Sequence, residues 1–199
     1  MDYRDLTSLQ LDALREVGNI GAGNAATALS QLLNKKIDMT VPHVNIIDFQ
    51  QMIDGSAEAE VVGIMVRVLG DTPGNILFVF EKSVASNIIE LLTGIKEEEF
   101  SDMGTSVLSE VSNIVSSSYM NAISRLTNLT LVPSVPAMAY DMLVAILSTM
   151  FIESSQFDDS ILDIETNFVG TETKNIGAHF YYVPRPGSLE KILSSLGVI

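Results

Sequence analysis

The chain has 199 residues, 47% of them hydrophobic, with 25 acidic against 11 basic side chains and a formal net charge of −14. That size and composition describe a globular protein, with room for one full core or for two small halves sharing one. The charge argues against nucleic acid and against an anionic membrane surface, which both call for clustered Lys and Arg, and instead suits a partner with a basic patch.

With no cysteine, disulfides, thiolate zinc sites and a Cys nucleophile are excluded. The two histidines, His43 and His179, stand in no metal-ligand spacing and are expected to satisfy local hydrogen bonds. The start, Met-Asp-Tyr-Arg-Asp, lacks a basic segment followed by an apolar run. No apolar stretch approaches the ~20 residues that span a bilayer. A cytoplasmic protein without membrane insertion is expected.

A long helix is predicted over 6–34, capped by Thr7 or Ser8 and closed by Asn34-Lys35-Lys36. Residues 37–48 read as a strand interrupted by Pro42, and 60–69 and 75–80 as strands joined by the turn Gly70-Asp71-Thr72-Pro73-Gly74. A helix over 83–93 ends at Gly94, and the acidic stretch from Lys96 to Asp102 is the expected seam between halves. A second long helix over 103–127 leads to a strand near 129–139. An apolar helix over 141–155 follows, opened by Asp141 and without a counterpart in the first half. Strands over 161–170 and 177–184 and a helix over 187–196, ending at Gly197, complete the chain.

One pattern is written twice. Asp12, Glu16, Asn19 and Pro42 are matched, each 94 residues later, by Ser106, Glu110, Asn113 and Pro136. A lone Glu-x-x-Asn carries nothing, but a second copy in register, with its distant proline, marks an internal repeat. Gly74 and Gly177, and Gly94 and Gly197, correspond at an offset of 103, so an insertion lies between the two blocks. The expected fold is α+β: a pseudo-two-fold repeat of helix–strand–strand–strand–helix units, about 1–95 and 103–199. The two units share one antiparallel or mixed sheet, with both long helices on a face.

Residues at i, i+4 and i+7 of a helix share one face. Asp12, Glu16 and Asn19 therefore form a stripe, continued by Gly23, Ala26 and Ser30, while Ser106, Glu110 and Asn113 form another, continued by Ser117 and Ser124. The run Gly18-Asn19-Ile20-Gly21-Ala22-Gly23 is no phosphate loop, since it lies within a predicted helix and lacks the Gly-Lys-Ser/Thr ending. It suits close helix packing instead. Glu16 and Glu110 as an acid/base pair would leave both asparagines without a role. An Asn amide is no general base, but it holds a water by hydrogen bonds, and positioning a water is enough to hydrolyse an already bound, metal-neutralised phosphate.

The helix Glu16-Val17-Gly18-Asn19-Ile20-Gly21-Ala22-Gly23-Asn24-Ala25-Ala26-Thr27, its copy Glu110-Val111-Ser112-Asn113-Ile114 and the two prolines closely resemble the CheC group of the CheC/CheX/FliY chemotaxis phosphatases. The resemblance covers essentially the whole chain as one CheC-like domain. It implies dephosphorylation of the response regulator CheY, with Asn19 and Asn113 positioning water against the aspartyl phosphate and Glu16 and Glu110 pairing with the regulator's lysine. No cofactor of its own is implied, because the Mg²⁺ belongs to the regulator. Asp12 and Ser106 would support the helix stripe, and Pro42 and Pro136 would be structural. A second partner, the receptor deamidase CheD, is also implied. The helix that Asp141 opens, present only once, offers a place for a once-per-molecule partner, with Asp141 as a possible contact and core packing of that apolar run as the competing expectation. FliY members carry an additional flagellar-switch domain, and CheX members lack the first motif. The replacement of Gly18, Gly21 and Gly23 by Ser112, Val115 and Ser117 suggests unequal docking at the two sites. The competing expectations are a non-catalytic adaptor for CheY and CheD and, more remotely, a hydrolase of small phosphate esters.

Overall fold

The computed structural model describes residues 5–48, 59–96, 100–154, 160–170, 176–185 and 187–199. The first long helix, α1 (Ser8–Leu33), begins with a reciprocal cap: the Gln10 amide N–H donates to Thr7 Oγ1 (3.4 Å) and the Thr7 amide N–H to Gln10 Oε1 (2.9 Å). It ends at Asn34, whose left-handed φ of 48° stops the helix. The second, α3 (Asp102–Thr127), is capped by Ser101, which accepts from the Gly104 amide at 3.1 Å, and stops at Asn128 with φ 56°. The two helices are built alike, end for end.

After α1 come β1 (Ile37–Met39), β2 (His43–Asp48), β3 (Glu60–Gly70), β4 (Gly74–Glu81) and α2 (Lys82–Thr93). After α3 come β5 (Leu131–Pro133), β6 (Ala137–Met142), α4 (Leu143–Ser154), β7 (Ser160–Gly170), β8 (Ile176–Pro184) and α5 (Ser188–Ser195). Every strand pairing among these residues is antiparallel. The sheet runs β1–β7–β8–β4–β3–β5, with β2 continuing β1 along β7 and β6 continuing β5 along β3. Strands from the two halves therefore alternate at the edges. The leading strands of each half pair with the hairpin of the other, and β4 and β8 meet at the centre, where Phe78 and Phe180 face each other edge to face at 5.3 Å.

Side chains alternate across each strand. Val62, Ile64, Val66 and Val68 of β3 and Ile76, Phe78 and Phe80 of β4 join the main core with α1, α2, α3 and α5. Val61 and Leu77 face the other way, into a smaller cluster under α4 with Leu143, Leu147 and Met150. Two covered faces explain the nearly continuous apolar runs of these strands. The helix α4 is thus a core element, pressed so close that a β carbon at Gly63 would meet Ile146 at 2.8 Å.

Two expectations are corrected. The strand expected at 129–139 is two strands broken at Ser134–Pro136 and reaching Met142. Asp141 does not open the following helix: it pairs with Val61 inside β6, and α4 begins at Leu143. Cross-strand pairing outweighs the low strand preference of Asp. The part of the first half that would answer to α4, and residues 97–99 of the expected seam, lie outside the described residues.

Candidate functional site

Both long helices lie side by side on the same face of the sheet. Gly21 makes this possible, for a β carbon there would stand 2.5 Å from the ring of Tyr119 on α3. Gly18 has the same kind of role toward the sheet, its β-carbon position lying 3.1 Å from Ile164 and 3.6 Å from Pro42. Gly23 has open space instead and is not a packing glycine.

The stripes face outward. Glu16 and Glu110 are exposed, while Asn19 and Asn113, one turn further on, are half-buried. Neither asparagine amide has a hydrogen-bond partner among the described residues, so both are free to hold a water. Asp12 forms an exposed ion pair with Arg15, a partner that the repeat pattern did not single out. Ser106 and Ser109 stand at these two places in the second copy, so one site carries an extra ion pair and the other is neutral there.

The stripes are shorter than the helical spacing suggests. Ala26 is buried in the core. Ser30 and Ser124 turn away to serve the strands that follow: Ser30 Oγ accepts from the Ile37 amide at 2.9 Å, and Ser124 Oγ from the Leu131 amide at 3.2 Å. Each serine ties the end of its helix to the start of the next strand, which fixes where the chain re-enters the sheet.

That anchoring explains the distant prolines. Met39 pairs with Phe168 and His43 with Glu165, so Thr40, Val41 and Pro42 stand opposite only Thr166 and Asn167. Likewise Pro133 pairs with Val68 and Ala137 with Met65, leaving Ser134, Val135 and Pro136 opposite Val66 and Arg67. Both are one-residue bulges at a sheet edge, where a residue without an amide proton is tolerated and a neighbouring side chain is re-aimed. Pro42 is buried against Gly18, the residue before Asn19. In the second copy the bulge is pinned by Arg67, whose amide donates to Ser134 Oγ at 3.0 Å and whose carbonyl accepts from the Ser134 amide at 2.9 Å. A groove of about 440 Å³ opens there, lined by Ser106, Glu110, Asn113, Val135 and Pro136. The structure thus brings Ser106, Glu110, Asn113 and Pro136 together. Asp141 lies apart from this groove, exposed at the end of β6, its carboxylate accepting from the Met142 amide at 2.7 Å.

Among the described residues no three His, Asp or Glu side chains gather as metal ligands would. No helix among them is long and apolar enough to cross a membrane.

A sheet interleaved from two equivalent halves, each offering a Glu and an Asn beside a proline bulge, defines a duplicated protein with paired surface sites. The chain belongs to the CheC-like family, whose profile matches residues 9–46 and 103–140. Each matched block runs from the first turn of a long helix into the edge strand beyond its bulge, which is the unit just described. The chain is 38% identical to the CheY-P phosphatase CheC of Bacillus subtilis over 98% of its own length and 97% of that protein's. The flagellar motor switch phosphatase FliY of the same organism is 41% identical over 90 residues, which is 45% of this chain and 24% of FliY. Among solved structures, Thermotoga maritima FliY superposes with a TM-score of 0.80 at 24% identity, covering 97% of this chain and 98% of that one. The FliM middle domain of H. pylori gives 0.69 at 15% identity, over 96% and 99%. Both structural likenesses speak for the fold.

Proposed function

We propose that this protein dephosphorylates phosphorylated CheY in the cytoplasm, using two sites, Glu16 with Asn19 and Glu110 with Asn113. The observation that carries this reading is the presence, in two equivalent places, of an exposed Glu and, one turn on, a half-buried Asn whose amide has no hydrogen-bond partner among the described residues, in a chain so similar to a CheY-P phosphatase. In the reaction, a water oxygen attacks phosphorus while the bond from phosphorus to the aspartyl oxygen breaks. The products are inorganic phosphate and a free aspartate on the regulator. The Asn amide orients the water, and the Glu pairs with a lysine of the regulator. The charge on the phosphoryl group is met by the regulator's own Mg²⁺, so this chain contributes position rather than covalent chemistry. Asp12 and Ser106 support the helix surface beside each pair.

The test is release of inorganic phosphate from phosphorylated CheY at substoichiometric amounts of this protein. Many turnovers per molecule support the phosphatase reading, whereas binding without turnover would leave the adaptor. CheD is proposed as a second partner on the strength of the family resemblance, with Asp141 as the contact because it is exposed and distant from the groove. An Asp141→Lys variant with unchanged CheD affinity would remove that assignment.

A further inference from the structure

Four of the large apolar side chains left on the surface are related by the same 94-residue offset as the two Glu/Asn pairs. Leu9 and Met103 are 64% and 62% exposed, and Val41 and Val135 are 64% and 88% exposed. A single exposed aliphatic residue needs no explanation. Here, however, the surrounding positions have drifted in chemistry between the copies: Leu11 to Thr105, Asp12 to Ser106, Arg15 to Ser109 and His43 to Ala137. These four positions have stayed aliphatic or thioether and have stayed exposed.

Their placement is also specific. Leu9 precedes Glu16 by seven residues, two helical turns, so it lies about 10 Å along the same stripe, and Met103 stands in the same relation to Glu110. Val41 and Val135 come from the bulges, where the extra residue turns the side chain out of the sheet. Val135 lines the groove that holds Glu110 and Asn113, and Val41 adjoins the proline that touches the residue before Asn19. Each polar pair is therefore bracketed by one apolar side chain from the helix and one from the bulge.

We infer that Leu9 with Val41, and Met103 with Val135, are the apolar anchors that seat the phosphorylated regulator over each Glu/Asn pair. This rests on the phosphatase reading and says what that site recognises besides phosphate and lysine: an apolar rim around the regulator's phosphorylated aspartate. The anchors lie away from the reacting atoms and are buried equally in the bound and the transition state. They should therefore set KM and leave kcat alone.

Each site is tested with the other silenced. In an Asn113→Ala background, Leu9→Ser with Val41→Ser should raise KM for phosphorylated CheY at least about tenfold, the scale of losing one buried aliphatic group, with kcat within twofold. Met103→Ser with Val135→Ser in an Asn19→Ala background should do the same. Val41→Ile and Val135→Ile should keep the parent KM, and Ile95→Ser, 60% exposed but flanking neither motif, should change nothing. An unchanged KM in both double variants, or an equal rise with Ile95→Ser, would overturn the anchoring role while leaving the phosphatase reading intact. A wild-type protein without turnover would overturn the phosphatase reading and the anchors with it.

Discussion

The ring of Tyr119 on α3 fills the space that a side chain at Gly21 on α1 would occupy: a β carbon would stand 2.5 Å from two of its carbons. Tyr119 is itself held from behind by Phe180, 4.5 Å between centroids, and burial pushes its hydroxyl pKa up. Gly21→Ala should destabilise the protein by about 1–2 kcal/mol, because overpacking outweighs the ~1 kcal/mol gained in helix propensity. Gly23→Ala meets no atom within 4 Å and should stabilise by about 0.5–1 kcal/mol. Denaturant midpoints of the two variants should move in opposite directions.

Asn19→Ala and Asn113→Ala should each lower phosphate release but leave some, since the site is duplicated. The double variant should fall by ~10²-fold or more, the scale on which misplacement of a reacting group is felt, and should still bind phosphorylated CheY. Wild-type turnover in the double variant would exclude the water-positioning mechanism.

Glu16→Ala and Glu110→Ala together should weaken binding as well as rate, because each gives up a charge pair with a lysine of the partner. The wild type should lose affinity as salt is raised, and the double variant should lose less. Titrations at two ionic strengths decide it; parallel salt curves would show that these carboxylates make no such pair.

Ser112 takes the place of Gly18 in the second helix, and its hydroxyl is buried with no hydrogen-bond partner among the described residues. It borders a small cavity lined by apolar residues including Leu29, Phe78 and Val115. Ser112→Ala keeps the β carbon and removes an unsatisfied polar group, so it should raise stability by about 1 kcal/mol. A lower melting temperature would show that the hydroxyl has a partner in solution.

Both long helices, the hairpin of 60–80 and the two strands over 161–184 are legible in the sequence, because capping residues, periodicity and turn chemistry are local signals. The offset between Glu16 and Glu110 is equally plain, and it points to side chains that the structure leaves on the surface. What the sequence hides is non-local. A serine reads the same whether it faces outward, like Ser106, or a strand, like Ser30 and Ser124. Ala26 reads as part of an outward stripe and is buried. Asp141 reads as the start of a helix until the pairing with Val61 is known. Val41 and Val135 share the repeat's offset and are visible in the sequence, but only the bulges show why they project.

The exchange of edge strands between the halves has a consequence for synthesis. Among the described residues, Ile37–Met39 and His43–Asp48 pair as strands only with Ser160–Gly170. The first site is therefore encoded early but supported late: the bulge that carries Val41 and Pro42 has no neighbouring strand until about four-fifths of the chain has left the ribosome. Contacts of such sequence separation slow folding. A nascent or truncated first half would present Glu16 and Asn19 on a helix whose flanking bulge lacks its pairing strand, so premature termination should yield no half-active enzyme that could drain phosphorylated regulator.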